Sequence, residues 1–265
     1  MSDLMPLLRT GRAVVEQAVT TLRSAEPGRV TAKGDRDLVS DLDLAIERSA
    51  RQHLRRATPQ FGFLGEEDGQ DGPANYTWIM DPIDGTANFL RGMPLYGIAL
   101  ALVREGWPVI GIIALPELNR TCWAAEGAGA WRDGRRIAAA TTTTLNQAVV
   151  TVGEYVPGDR AATVNPLMHS LHRMLADRAQ RVRILGSAAA TLAFVADGSV
   201  DASITIGNQP WDMAAGVIIA REAGAHVVDV DGVEYRCDST ATLAAAPGIR
   251  DELLDAIRAG LRGTN

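Results

Sequence analysis

Apolar residues at Leu4, Leu7, Leu8, Val14, Val15, Ala18, Val19 and Leu22 recur at the spacing of one helix face and predict a first helix within residues 1–24. A polar stretch over 26–37, broken by Pro27, Gly28 and Gly34, reads as a loop or loose hairpin. Helical spacing returns over 40–56, with Leu42, Ile46 and Leu54 on one face. The pattern then shortens to strand-length apolar runs at 61–65, 76–80, 96–103, 109–115, 120–125 and 130–131, with hairpin signals at Glu105-Gly106 and Asp133-Gly134.

Past residue 144 the rhythm changes. Strands are expected at 148–152, 181–185, 200–206 and 225–229. Helices are expected at 164–176, from Gly186 and Ser187 to 196, at 211–223 and at 249–261. The low-complexity stretch 138–144 is the best boundary, giving an N-terminal α+β sub-domain, 1–140, and a C-terminal α/β sub-domain, 141–265.

Composition narrows the classes. A chain of 265 residues, 46% hydrophobic and 22% charged, is that of a soluble globular protein with a sizeable core. A net charge of −6 argues against nucleic acid as a partner. Cys122 and Cys237, far apart, make neither a disulfide framework nor a zinc ribbon and read as buried structural cysteines. The charges of the first helix exclude a signal peptide, and no apolar run is long enough to span a bilayer. A cytoplasmic protein without membrane contact is the expectation. Lys33 is the sole lysine.

Four segments each bring acids to an element boundary: 37–43, Gly65-Glu66-Glu67, Asp81-Pro82-Ile83-Asp84 and Trp211-Asp212. Taken alone, Asp43 is equally well a solvated helix-face acid, Glu66-Glu67 an exposed turn and Asp212 a helix cap. Asp81 and Asp84 resist such readings. They stand at the end of an apolar strand, where two carboxylates repel unless cations lie between them. Gly85, Thr86 and Asn88 follow as a turn and helix start, whose backbone N–H groups suit an anion. Together these features describe a site for metal-assisted phosphate chemistry.

The order and spacing of these segments, with Gly186-Ser187-Ala188, Ala196-Asp197-Gly198 and Glu222-Ala223-Gly224, resemble the inositol monophosphatase family along essentially the whole chain. The resemblance implies a layered αβαβα sandwich with the site between two sub-domains, and lithium-sensitive, Mg²⁺-dependent hydrolysis of a small-molecule phosphate monoester by a homodimer. Two to three Mg²⁺ ions are implied. Glu66, Asp81 and the carbonyl of Ile83 would hold the first, and Asp81, Asp84 and Asp212 the second. A third would touch Glu66 largely through water. Thr86, backed by Asp43, would orient the attacking water and accept its proton, because a threonine hydroxyl alone is too weak a base. Asp84, Gly85, Thr86, Gly186, Ser187, Ala188 and Thr205 would line the substrate site, and residues 33–43 would form a mobile lid.

Substrate choice is where the sequence departs from the inositol pattern. Inositol-phosphate enzymes of the family carry a glutamate seven residues before the Trp-Asp acid, and Thr205 stands there instead. Ala87 replaces a common threonine and Arg91 a common histidine, the latter a cation suited to a more anionic substrate. Histidinol phosphate, fructose 1,6-bisphosphate and nucleotide 3′-phosphates remain alternatives, as does a non-catalytic regulatory or interaction protein.

Overall fold

A computed structural model describes residues 4–34, 37–73 and 75–262. The chain opens with helix α1 (Met5–Ser24), a hairpin of β1 (Val30–Gly34) and β2 (Asp37–Ser40), and helix α2 (Asp41–Ala57). There follow β3 (Gly62–Gly65), β4 (Gly69–Asp71), β5 (Tyr76–Asp84), the short helix α3 (Thr86–Leu90), β6 (Gly97–Arg104) and β7 (Trp107–Leu115). Three further strands, β8 (Arg120–Ala125), β9 (Ala130–Arg132) and β10 (Arg135–Arg136), complete this half. Residues 138–144 form no regular element. The second half runs β11 (Val149–Val152), α4 (Ala161–Arg178), β12 (Arg181–Arg183), α5 (Ala188–Ala196) and β13 (Ala202–Ile206). It closes with α6 (Pro210–Glu222), β14 (His226–Val228), β15 (Ala241–Ala245) and α7 (Arg250–Arg262).

Besides the hairpin, the described strands make an eight-stranded sheet, ordered β10-β9-β8-β7-β6-β5-β3-β4, and a five-stranded sheet, ordered β12-β11-β13-β15-β14. The period of two along each strand sorts side chains between layers. On β6, Ile98, Leu100 and Leu102 pack in the cluster that includes α1 and α2. The alternate residues Ala99, Ala101 and Val103 pack with α5 and α6. On β15, Ala244 joins that same middle cluster, whereas Leu243 and Ala245 pack with α4 and α7. The result is helix, sheet, helix, sheet, helix: the αβαβα sandwich the sequence implied.

The middle helices are apolar nearly all round, as burial between two sheets requires. Small residues bring them close. A Cβ on Gly111 of β7 would overlap the carbonyl of Ala215 on α6, and one on Gly216 would overlap Leu192 on α5.

Three sequence expectations need correction. The strand read as ending at Asp81 continues to Asp84. Its pairing with β6 shifts register between Asp81 and Asp84, where Pro82 has no N–H to give the ladder. A regular strand would turn residues three apart to opposite faces, and this bulge lets both acids reach one site. The small sheet is mixed, because β15, unanticipated, pairs antiparallel with β13 and β14. The strand expected over 181–185 stops at Arg183, while the stretch 26–37, read as a loop or loose hairpin, does enter a hairpin through β1 and β2. Residues 1–3 of the expected first helix, and residues 35 and 36 of the expected lid, lie outside the described residues.

Candidate active site

Asp81 and Asp84 come from the bulged end of β5, and Asp212 from the first turn of α6. Each offers a carboxylate oxygen within 4.8 Å of the other two. Asp81 is 2% exposed and Asp84 6% exposed. Burial, then the charge of Glu66 and the neighbouring aspartates, pushes the Asp81 carboxyl well above the ordinary range. Asp84 is pushed up to about 6, by burial against three hydrogen bonds that favour its ionised form. Burial raises Asp212 to about 7, with the Gln209 N–H bond opposing the shift. Three desolvated acids this close describe a place where a cation belongs.

Each acid is held in place. The Ile83 N–H donates to Asp81 Oδ1 at 3.1 Å. The Gln209 N–H donates to Asp212 Oδ2 at 2.9 Å as part of a capping box, so Asp212 caps α6 and faces the other acids at once. Asp84 is gripped by the start of α5: the Ser187 hydroxyl and the N–H groups of Ala188 (3.1 Å) and Ala189 (2.7 Å) all donate to it. Ser187 and Ala188, expected at the substrate, line the cavity beside the acids and engage Asp84 as well. Gly186, at φ 74°, precedes them in a conformation that favours glycine, and a Cβ there would crowd the Asn88 side chain.

Asp43 is not the solvated helix-face acid of the simpler reading. It is 1% exposed and forms a capping box with Ser40, whose N–H donates to Asp43 Oδ2 at 3.0 Å. The Ser-x-x-Asp spacing from Ser40 is a sequence signature of such a box. The Thr86 hydroxyl stands 3.5 Å from Asp43 Oδ1 and 3.0 Å from the Ile83 carbonyl oxygen, so it can donate to either. Gly85, at φ 88°, caps α3 immediately before it.

Glu66 and Glu67 sit in the turn after β3, half-buried rather than fully exposed, and both take the ammonium of Lys33 from β1. Burial, together with the charge of Glu66, raises Glu67 to about 7 despite its bond to Lys33.

A cavity of about 310 Å³ opens beside the acids. Asp84, Gly85, Thr86 and Asp212 line one side, while Glu154, Tyr155 and Thr205 contribute elsewhere to its wall. Thr205 thus reaches the cavity, at the end of β13 and against Gly153 at the end of β11. Glu154 and Tyr155 belong to the segment 153–163, which the family resemblance links to the sugar pocket but in which no motif singles out a residue.

The chain is similar to known proteins along nearly its whole length. A model described as the inositol monophosphatase family matches residues 3–261. The chain is 35% identical over 224 residues to the fructose-1,6-bisphosphatase/inositol-1-monophosphatase of Thermotoga maritima, covering 84% of each. It is 35% identical over 228 residues to the Nus factor SuhB of Xylella fastidiosa, covering 86% of this chain and 82% of that one. Among solved structures, an IMPase of Thermotoga maritima matches with a TM-score of 0.87 and 32% identity, over 98% of this chain and 100% of that one.

Proposed function

The chain belongs to the inositol monophosphatase family of phosphatases, and from that premise we propose that it hydrolyses small phosphate monoesters to an alcohol and inorganic phosphate with Mg²⁺ as cofactor. The observation that carries this reading is the meeting of Asp81, Asp84 and Asp212 within 4.8 Å, beside a cavity lined by Asp84, Asp212 and Thr86.

The donors fit the ion. Carboxylates and a carbonyl are the hard oxygen ligands Mg²⁺ prefers, and the desolvated aspartates are stabilised by a cation among them. Glu66, Asp81 and the Ile83 carbonyl are assigned to one ion, and Asp81, Asp84 and Asp212 to a second. A third is assigned to Glu66 through water. Bound Mg²⁺ supplies neutralisation of the phosphate dianion and a lowered pKa for water.

The chain's own groups do the rest. The Thr86 hydroxyl orients water through an oxygen lone pair, and as it takes the water's proton its own proton passes to the Asp43 carboxylate. The Ile83 carbonyl, once it holds a cation, would be removed as a competing acceptor of the Thr86 hydroxyl. Backbone N–H groups of Gly85 and Thr86 meet the phosphate oxygens, and Thr205 faces the alcohol. Among the described residues lining the cavity, the charged side chains are Asp84, Glu154 and Asp212. Glu154 lies outside the proposed cation set, and its charge favours a neutral or cationic alcohol, as in inositol or histidinol phosphate, over one carrying a second phosphate.

The family also suggests a cytoplasmic homodimer inhibited by lithium. No described helix is long and apolar enough to cross a membrane. The test is phosphate release from inositol 1-phosphate, histidinol phosphate, fructose 1,6-bisphosphate and a nucleotide 3′-phosphate, with and without Mg²⁺. Mg²⁺-dependent release is expected, strongest with the first two. Silence across the panel would overturn the reading and leave a non-catalytic role, to which the similarity with a Nus factor would then point.

A further inference from the structure

Glu47 lies one helical turn after Asp43 on α2, and its side chain is fully buried. A buried carboxylate needs partners, and those of Glu47 are specific. Oε2 accepts the backbone N–H of Glu67 at 2.8 Å, and Oε1 accepts that of Asp68 at 3.0 Å. Arg51, one turn further along α2, donates to Oε1 at 2.8 Å and balances the charge. The same guanidinium donates to the Gly69 carbonyl at 2.8 Å and to Asp71 Oδ2 at 2.8 Å, reaching the next strand.

Gly65 makes this possible. A Cβ at that position would overlap the Glu47 carboxylate, so the backbone before Glu66 passes directly over it. On its other side the turn continues the sheet, through the Glu66 N–H donating to the Met80 carbonyl at 3.3 Å. The turn that presents Glu66 is therefore fixed by β5 and by a carboxylate from α2. Helix α2 thus supplies Asp43 to the Thr86 hydroxyl and Glu47 to the turn of Glu66.

We propose that Glu47 is a positioning residue that sets Glu66 for cation binding. It touches neither substrate nor cation. It anchors the backbone on both sides of Glu67, so that Glu66 is presented to a cation without an ordering cost at binding. This rests on the assignment of Glu66 as a cation ligand, and the experiment separates the two. Partners that orient metal ligands typically contribute about 10- to 100-fold in metal affinity.

The test is calorimetric titration of Mg²⁺ into the full chain carrying Glu47→Gln, Glu66→Gln or both, beside kcat and the Mg²⁺ dependence of turnover. Glu47→Gln keeps the shape and removes the charge and one acceptor. It is expected to weaken Mg²⁺ binding about tenfold, with kcat at saturating Mg²⁺ changed less than about threefold. The double variant is expected to bind no more weakly than Glu66→Gln alone, because Glu47 acts through Glu66. Glu47→Asp, which keeps the charge, is expected to recover part of the affinity and provides a second foldable variant. A variant destabilised elsewhere, Gly111→Ala, is expected to bind Mg²⁺ normally. Normal binding in Glu47→Gln while Glu66→Gln is weak would overturn the positioning role. So would full additivity in the double variant. Normal binding in Glu66→Gln would remove Glu66 from the ligand set, and the proposal with it.

Discussion

Lys33 Nζ lies 2.6 Å from Glu66 Oε1, so the sole lysine of the chain rests on a carboxylate assigned to a cation. Burial alone would lower the Lys33 pKa, but the charges and hydrogen bonds of Glu66 and Glu67 hold it above its ordinary value. Lysine and Mg²⁺ then compete for one group. Replacing Lys33 with methionine should lower the Mg²⁺ concentration for half-maximal binding by a few-fold, measured by titration calorimetry without substrate. A weakened affinity would show that Lys33 supports the site instead.

Thr86 and Asp43 should act as a unit. Thr86→Ala is expected to leave Mg²⁺ binding within about twofold while kcat falls by about 10²- to 10³-fold, the range of a lost proton acceptor. Adding Asp43→Asn should cost little more, since each residue depends on the other. Single-turnover kinetics on the three variants checks this, and near-normal turnover in Thr86→Ala would remove the hydroxyl from the chemistry.

Stability should depend on pH and on cation together. The folded pKa values of Asp84 and Asp212, about 6 and about 7, lie above the ordinary value of 3.8. The folded state therefore holds protons the unfolded chain has released. Their contribution is full below about pH 4 and is lost as pH rises through 6 and 7. Scanning calorimetry of the metal-free protein should show Tm falling between pH 5 and pH 8 on this account. Added Mg²⁺ should raise Tm more at pH 8 than at pH 5, because protons and cation compete for the same carboxylates.

Packing at the middle layer should be unforgiving. Gly111→Ala forces a methyl group against the Ala215 carbonyl and should cost about 2 kcal/mol by urea denaturation. A neutral result would mean that α6 can lift from β7 without loss.

Thr205 should influence the choice of alcohol. Thr205→Glu restores a carboxylate at the inositol position, and one charge-assisted hydrogen bond of about 1.5 kcal/mol corresponds to roughly tenfold. The kcat/KM for inositol 1-phosphate relative to glycerol phosphate should rise by about that factor. An unchanged ratio would show that this wall does not contact the ring.

What the sequence revealed, and what it withheld, follows from the reach of local pattern. Asp81 and Asp84 were legible because they stand at a boundary marked by apolar periodicity and turn residues, whereas Asp212 entered the site only through the family resemblance. The bulge that aligns Asp81 with Asp84 was hidden, since register against β6 is a relation between two strands. Strand β15 was missed because its alanines favour helix in isolation, and only pairing with β13 and β14 makes the segment a strand. Glu47 carried no signal in the sequence, because the glycine that admits it lies eighteen residues away in the chain. The contact of Ser187 with Asp84, 103 residues earlier, belongs wholly to the folded molecule.

The two ends of the cavity hang from different sheets. Asp84 belongs to the eight-stranded sheet, whereas Gly153 follows β11 and Thr205 lies on β13 of the five-stranded one. On the proposed reading, residues on the second sheet can consequently change while the acids of the first are left intact. A lineage built on this plan can acquire a new substrate by altering a strand end and a loop, without reinventing its catalyst.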